Sequence, residues 1–221
     1  KNYDLSSLRS AVSAGEPLNR PVIDTFMKLF NLKVRDGYGQ TENTLLIGTM
    51  ENMELRPGSM GKPTPGNNIK IINTEGEEVA PGEVGDIAVH KSSPALFKEY
   101  YRDLERTQAA YRGDWYITGD QASYDEDGYF WFEGRGDDII ISSGYTIGPF
   151  EVEDALNKHE AVQESYNSFD EDSMIKELQE HVKTLTAPYK YPRSIEFLKE
   201  LPKTTSGKIR RVELRQKATS I

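Results

Sequence analysis

The middle third of the chain, about residues 55–131, consists of short apolar runs separated by glycine, proline and acidic turns, and this pattern constrains the fold most strongly. Ile69–Ile72 and Val84–Val89 flank a Thr-Glu-Gly-Glu-Glu segment, which predicts a hairpin, and Asp125–Gly128 predicts a second tight turn. A single helix is expected between them, over Leu104–Tyr111. The middle of the chain is therefore predicted to form a small β-barrel or a curled sheet.

The flanking segments have helical periodicity instead. Apolar residues recur at helical spacing in Pro17–Phe30, and Lys33–Tyr38 predicts a short strand that enters a glycine-bounded loop. The pattern changes again after residue 136, which places the predicted domain boundary near Asp137. Beyond it, the sequence predicts helices over Pro149–His159, Asp172–Leu185 and Ile209–Lys217, and strands over Ile139–Ile141 and Ile195–Leu198.

Composition excludes several classes of protein. The chain has no cysteine, so a disulfide framework and thiolate metal sites are excluded. Its net charge of −9 argues against nucleic acid as a bulk partner, although Lys203–Lys217 is locally basic and suits a small polyanion as well as a solvated helix face. No stretch approaches the roughly 20 apolar residues of a spanning helix, and the first residues do not resemble an export signal.

Two glycine-containing strand ends carry candidate chemistry. In Tyr38–Glu42, Thr41 is a candidate for a phosphate oxygen and Glu42 for Mg²⁺, while an ordinary capped turn is the alternative. Tyr116–Asp120 is predicted to end a strand with an acid in a glycine turn. Such an acid suits the vicinal hydroxyls of a ribose, and the alternative is an aspartate that closes its own hairpin.

Two further segments lie at and beyond the predicted boundary. In Gly134–Asp138, Arg135 offers a forked donor for a ribose or phosphate, and the acidic residues suit either a hinge or a plain linker. Pro202–Arg211 presents Lys208 on a glycine- and hydroxyl-rich loop just before a helix. A lysine there can stabilise developing negative charge, although a capped helix start explains the pattern equally well. The glycine spacing differs from that of a Walker loop.

Together these segments resemble the adenylate-forming superfamily of acyl- and aryl-CoA synthetases, peptide-synthetase adenylation domains and firefly-type luciferases. The resemblance covers nearly the whole chain. It is carried in order by Ser13–Leu18, Tyr38–Glu42, Gly82–Asp86, Tyr116–Asp120, Gly134–Asp137 and Pro202–Lys208. Ser143–Glu153 and Ala187–Arg193 are most similar to medium-chain acyl-CoA synthetases.

The resemblance implies an α/β fold with an α+β lid. Residues 1–54 would be the end of a large α/β N-terminal domain, residues 55–136 a distorted small β-barrel, and residues 137–221 a mobile C-terminal α+β domain with its hinge at Asp137. The implied activity is ATP-dependent, AMP-forming acyl-CoA synthesis, with ATP, Mg²⁺ and coenzyme A as cofactor and substrates and with small-molecule partners only.

Site residues follow from the same resemblance. Lys208 would stabilise charge between the carboxylate and the α-phosphate, Thr41 would bind the α-phosphate, and Glu42 would ligate Mg²⁺. Asp120 and Arg135 would hold the ribose. The remaining implied nucleotide contacts are Gly15, Glu16, Pro17, Asp36, Gly37, Tyr38, Gly39 and Gln40, and the implied CoA contacts are Ser143, Gly144 and Tyr145.

The sequence departs from the family pattern in three places. The pyrophosphate loop and most of the N-terminal domain are absent, which suggests that the chain starts partway through a longer product. Thr146 stands where these synthetases usually carry arginine. At the Tyr166–Asn167 join, two family strands and a charged turn are missing, either through deletion or because residues of the protein are not included in this sequence.

Two alternatives remain at this level. The enzyme could load a carrier protein instead of free CoA, or the chain could be a truncated product that binds AMP without turnover. The sequence fits a cytoplasmic protein, and a mitochondrial matrix location is also compatible with it.

Overall fold

The structure is a computed structural model that describes residues 4–16, 18–142, 145–163, 170–198, 200–205 and 209–218. Its strands are β1 Ala11–Ala14, β2 Val34–Gln40, β3 Thr44–Gly48, β4 Ser59–Pro63, β5 Ile69–Ile72, β6 Gly85–His90, β7 Tyr111–Arg112, β8 Trp115–Tyr124, β9 Phe130–Arg135, β10 Ile140–Ser142 and β11 Tyr145–Ile147. Its helices are α1 Arg20–Phe30, α2 Leu104–Ala109, α3 Pro149–Asn157, α4 Glu160–Gln163, α5 Glu171–Leu185 and α6 Arg211–Ala218, with a 3₁₀ turn at Pro188–Lys190.

The chain forms two compact units, Lys1–Asp154 and Ala155–Ile221. The predicted hinge residue Asp137 lies within the first unit, and its role as a hinge stays a prediction. Within the described residues no helix has both the length and the apolar character needed to cross a bilayer.

The first unit begins with a parallel strand pair. β1 pairs in parallel with β2, and α1 connects them as a crossover helix. Helix α1 starts at Arg20, with Asn19 as its N-cap and Pro21 in its first turn, where the missing proline N–H costs no hydrogen bond. The predicted helix is therefore confirmed but starts later than Pro17.

The remaining strands of the first unit extend this pair into one nine-stranded sheet with the order β1-β2-β3-β4-β9-β8-β6-β5, with β7 paired to β8. The fold class is confirmed. In the described residues the predicted barrel is an open sheet, because β5 pairs only with β6 at one end and β1 only with β2 at the other. The sheet buries a core on its inner side, formed by Leu46, Ile47, Met60, Ile71, Ile87, Val89, Tyr116 and Phe130.

The second unit is mainly helical in its described residues. Leu178 and Val182 of α5 are buried, at one-turn spacing on a single helix face. Asp170 caps α5 by accepting a hydrogen bond from the Ser173 backbone N–H. The strand predicted over Ile195–Leu198 is wrong: these residues have irregular backbone and belong to neither sheet, although their exposure alternates.

Several predicted elements are confirmed with shifted ends. The Ile69–Ile72 strand and its return strand form the predicted hairpin. Helix α2 ends at Ala109, because Tyr111 and Arg112 pair with β8 instead of continuing the helix. The strands β1, β3 and β4 were not predicted, since each is short and lies beside glycine or polar residues that obscure any alternation.

Ile87 is fully buried in the centre of β6, so its truncation should strongly destabilise the first unit. Ile87→Ala should lower the free energy of unfolding of this unit by about 2–5 kcal/mol, because the removed methylenes leave a cavity. Denaturant unfolding followed by tryptophan fluorescence measures this difference. Val84→Ala is the matched control: Val84 is 40% exposed and its truncation should stay within about 0.5 kcal/mol. Equal losses in the two variants would contradict this description of the core.

Candidate nucleotide site

Asp120 is the most deeply placed acid of the first unit, with 5% of its surface exposed. It lies within the long strand β8, where the pairing with β6 shifts between Asp86 and Ala88 and produces a bulge. Gly119 supports this bulge with φ of 79°, a conformation that favours glycine. The prediction that Asp120 ends a strand is therefore wrong, because β8 continues to Tyr124.

Three side chains from other strands converge on the Asp120 carboxylate. The Tyr38 hydroxyl donates to Oδ2 at 2.6 Å, and Gln40 Nε2 donates to the same oxygen at 2.8 Å. Arg135 Nη1 donates to Oδ1 at 3.2 Å. Asp120 therefore does not close its own turn, and the simpler explanation of the motif is excluded.

Arg135 joins this carboxylate to the predicted hinge. Its Nε donates to Asp137 Oδ1 at 3.4 Å, so one guanidinium contacts two acids. About half of the Arg135 side chain is exposed, at 48%, whereas the Asp120 side chain is 7% exposed. Part of the Arg135 side chain is thus open to solvent beside a buried acid.

Burial dominates the electrostatics of the site. It raises the pKa of the Asp120 carboxyl above its ordinary value, although Tyr38, Arg135 and Gln40 all favour the charged form. Burial and then the Asp120 charge raise the pKa of Tyr38, so its phenol remains a proton donor at neutral pH. Asp120 therefore accepts three hydrogen bonds that favour its charged form, in a buried position that penalises that charge.

The sequence of β2 explains why both donors face Asp120. Successive strand residues point to opposite faces, so Tyr38 and Gln40 share one face and Gly39 lies on the other. A Cβ on Gly39 would lie 1.6 Å from the Thr44 carbonyl oxygen. The glycine therefore permits the close approach of β3, and its predicted nucleotide contact stays a prediction.

The carboxyl ends of the parallel strands lie beside this cluster. In the β1–β2 register Ala14 is opposite Gly37, which places Gly15 and Glu16 next to the Gly37–Tyr38 segment. Asp36 accepts hydrogen bonds from the backbone N–H groups of Gly37 at 2.8 Å and Leu18 at 3.4 Å, and burial raises the pKa of its carboxyl. This edge is where open α/β sheets commonly bind nucleotides.

Thr41 and Glu42 follow β2 in the turn to β3. Thr41 is exposed, and Glu42 is half-buried. Glu42 Oε1 accepts from the Tyr100 hydroxyl at 3.0 Å, and no described residue donates to its other carboxylate oxygen. Glu42 therefore has one oxygen available for a hard cation.

Several predicted site residues lie outside the described residues: Pro17, Ser143, Gly144 and Lys208. The Tyr166–Asn167 join lies there as well. Tyr145 begins β11, which pairs antiparallel with β10 in the register Ser142 to Tyr145. The predicted roles of all these residues stay predictions.

Sequence reasoning missed two tyrosines and one backbone contact near the site. The Tyr116 hydroxyl donates to Gln40 Oε1 at 3.3 Å, while Gln40 Nε2 also donates to the Thr118 carbonyl at 3.0 Å. Burial, and then a hydrogen bond with Tyr100, raise the pKa of Tyr116. Tyr116 belongs to a quoted motif and could have been nominated, whereas nothing in the sequence links Tyr100 to Glu42 across 58 positions.

A buried acid beside an arginine, close to the carboxyl ends of two parallel strands, has the position and chemistry that nucleotide sites of open α/β sheets commonly have. Comparison of the chain with models of known protein families identifies its family. Residues 1–101 match the AMP-binding enzyme family, and residues 166–208 match the C-terminal domain of AMP-binding enzymes. The chain belongs to this family, as its adenylate-forming motifs predicted.

Individual relatives are acyl-CoA ligases. The chain is 62% identical to the uncharacterized acyl–CoA ligase YtcI of Bacillus subtilis, over 98% of this chain and 45% of that protein. It is 46% identical to the mitochondrial acyl-coenzyme A synthetase ACSM3 of Mus musculus, over 98% of this chain and 42% of that protein. The crystal structure of the anthranilate CoA ligase AuaEII with anthranoyl-AMP superposes with a TM-score of 0.87 at 35% identity, over 98% of this chain and 45% of that chain.

The chain spans less than half the length of these relatives. The match to the Bacillus subtilis protein extends over 238 positions, whereas this chain has 221 residues, so at least 17 positions of that protein have no counterpart here. The missing segment at the Tyr166–Asn167 join stays a prediction.

The raised pKa of Asp120 predicts that this acid lowers stability at neutral pH. An acid whose pKa is raised on folding contributes stability below its ordinary value of 3.8, and that contribution is lost as pH rises through the folded value. The Tm of the wild type relative to Asp120→Asn should therefore increase as pH falls from 7 towards 4.

Asp114→Asn is the control, because the pKa of Asp114 is shifted in the opposite direction to that of Asp120. A hydrogen bond from Lys91 lowers the pKa of exposed Asp114, so its neutralisation should slightly lower the Tm at pH 7. Differential scanning fluorimetry across pH measures both variants. A pH-independent loss of Tm in Asp120→Asn would contradict the assignment of a strained, buried charge.

Proposed function

We propose that the protein containing this chain is an ATP-dependent, AMP-forming acyl-CoA synthetase that activates a medium-chain fatty acid. The observation that carries the proposal is the Asp120 carboxylate, which is buried and oriented by Tyr38, Gln40 and Arg135. The relatives support it, because those named above are acyl-CoA ligases or synthetases.

The ribose assignment follows from hydrogen-bond capacity. A carboxylate has about four lone-pair positions, two on each oxygen. Oδ2 of Asp120 already accepts from Tyr38 and Gln40, while among the described residues Oδ1 accepts only from Arg135. Oδ1 therefore has capacity for one further donor, such as a ribose hydroxyl, and Arg135 can donate to the same sugar. Gly15, Glu16, Asp36 and Gly37 would line the adenine side of the nucleotide.

Thr41 and Glu42 are proposed to hold the phosphates. The described residues contain no group of three or more acids, histidines or cysteines arranged for a metal ion. Mg²⁺ in ATP sites is commonly held by one or two carboxylates together with phosphate oxygens and water, so the single available oxygen of Glu42 fits such an ion. When bound, Mg²⁺ would neutralise phosphate charge, and Thr41 would donate its hydroxyl to the α-phosphate.

Two half-reactions are proposed. The fatty acid carboxylate attacks the α-phosphorus, a P–O bond forms, and pyrophosphate leaves. The CoA sulfur then attacks the acyl carbon as a thiolate, a thioester forms, and AMP leaves. Lys208 would stabilise the negative charge of the first step, and rotation about Asp137 would bring Ser143, Gly144 and Tyr145 to the CoA channel for the second step.

Product analysis tests the proposal directly. The whole protein is incubated with ATP, Mg²⁺, CoA and a panel of short-, medium- and long-chain fatty acids. The expected products are acyl-CoA, AMP and pyrophosphate, with the highest kcat/KM for medium chains. Release of ADP, or nucleotide turnover that does not depend on a carboxylic acid, would refute the proposal.

The Lys208 assignment predicts a difference between the half-reactions. Lys208→Ala should slow adenylate formation by about 10²–10³-fold, because a preorganised charge that stabilises the transition state is lost. Thioester formation from preformed acyl-AMP should be retained. Pyrophosphate exchange measures the first step, and thioester formation from synthetic acyl-AMP measures the second. Lys217→Ala, in the same basic segment, is the control and should retain both; equal loss of both steps in Lys208→Ala would exclude the assignment.

The alternatives make different predictions. If the acceptor is a carrier protein, a phosphopantetheinyl carrier should outcompete free CoA in a comparison of thiol acceptors. If the 221 residues act alone as a non-catalytic fragment, calorimetry should show at best weak AMP binding that does not depend on Mg²⁺. The proposed location is the cytoplasm, or the mitochondrial matrix in a eukaryote.

A further inference from the structure

Tyr100 lies outside every motif that carries the family resemblance. It belongs to the segment between β6 and α2, and its hydroxyl donates to Glu42 Oε1 at 3.0 Å. The same segment also contacts the main chain of this acid, because the Phe97 backbone N–H donates to the Glu42 carbonyl at 2.6 Å. Glu42 is therefore fixed at both its backbone and its carboxylate by residues 97–100.

Tyr100 is itself held in one position. The Arg106 guanidinium lies 3.8 Å from the centre of its ring, and the Phe97 ring centroid lies 4.8 Å away. The Tyr100 backbone N–H donates to Thr107 Oγ1 at 2.9 Å, and this hydroxyl in turn donates to the Asp103 carbonyl at 2.8 Å. The position of the Tyr100 ring is thus fixed by residues of α2 and by Asp103, which caps the N-terminus of that helix.

We propose that Tyr100 is a positioning residue for Glu42. Its hydroxyl binds Oε1 of Glu42 and thereby orients Oε2 towards the Mg²⁺ of bound ATP. The inference rests on the proposed function, because Glu42 is assigned to Mg²⁺ only there. A half-buried glutamate has several rotamers, and fixing one of them before binding removes an entropy cost from cation binding. Tyr100 acts through Glu42 and makes no contact with the substrate.

Tyr100→Phe tests this role with little risk to the fold. Phenylalanine keeps the ring between Arg106 and Phe97 and removes only the hydroxyl. Calorimetric titration of the whole protein with ATP over a range of free Mg²⁺ should show a Mg²⁺-dependent affinity that is weaker by about three- to tenfold, as expected for the loss of a hydrogen bond to the Glu42 carboxylate. AMP binding in the absence of Mg²⁺ should change less than about twofold.

The control variant is Tyr101→Phe. Tyr101 adjoins Tyr100 but is 82% exposed, so the loss of its hydroxyl should leave Mg²⁺ dependence unchanged. A double-mutant cycle with Glu42→Gln then isolates the pair, since Tyr100→Phe should have no further effect on Mg²⁺ dependence once the carboxylate charge is gone.

The outcomes are distinct. Unchanged Mg²⁺ dependence in Tyr100→Phe, equal weakening of ATP and AMP, or an undiminished effect in the Glu42→Gln background would each overturn the positioning role while leaving the synthetase proposal in place. Absence of any Mg²⁺-stimulated ATP binding in the wild-type protein would overturn the proposed function and this inference together.

Discussion

The burial of Asp120 between strands that are not neighbours is the constraint on which the site depends. In the sheet order, β2 and β8 are separated by β3, β4 and β9, which in a flat sheet would place them about 19 Å apart. The Tyr38 hydroxyl nevertheless lies 2.6 Å from Asp120. The sheet must therefore curl strongly, and the glycine at position 39, the bulge in β8 and the close β2–β3 contact all serve that curvature.

The curvature of the sheet brings three hydrogen-bond donors to Asp120, and these donors offset the cost of burying its charge. Desolvation alone would favour a protonated Asp120, but Tyr38, Gln40 and Arg135 each donate to it, and removal of any one would leave a buried charge less compensated. Tyr38 and Gln40 donate to Oδ2, whereas Oδ1, which accepts from Arg135, has capacity for a further donor. The burial of the Asp120 charge opposes folding at neutral pH, while the three donors hold the carboxylate as an oriented acceptor. Binding sites commonly depart from optimal packing in this way.

The sequence predicted the residues of the site better than it predicted their environment. Tyr38, Gln40, Asp120, Arg135 and Asp137 were all nominated, because local motifs reveal side-chain type and spacing. The contacts that join them span up to 82 positions and depend on sheet curvature, which no local pattern encodes. Long helices and the Ile69–Ile72 hairpin were predicted for the same local reason, while short strands that depend on distant partners were missed or, at Ile195–Leu198, wrongly expected.

The two carboxylates of the candidate site differ in burial and in their hydrogen bonds, in a way that suits the two ligands proposed for them. Asp120 is 5% exposed and held by three donors, which suits recognition of neutral hydroxyls at a fixed distance. Glu42 is half-buried and held by one donor, which leaves a charged oxygen able to adjust to a cation and its water. Gln40 lies between them: its amide nitrogen donates to Asp120, and its carbonyl accepts from Tyr116, a neighbour of Tyr100. Because β2 carries Gln40 and leads directly into Glu42, a displacement of this strand end would affect the proposed ribose and phosphate contacts together.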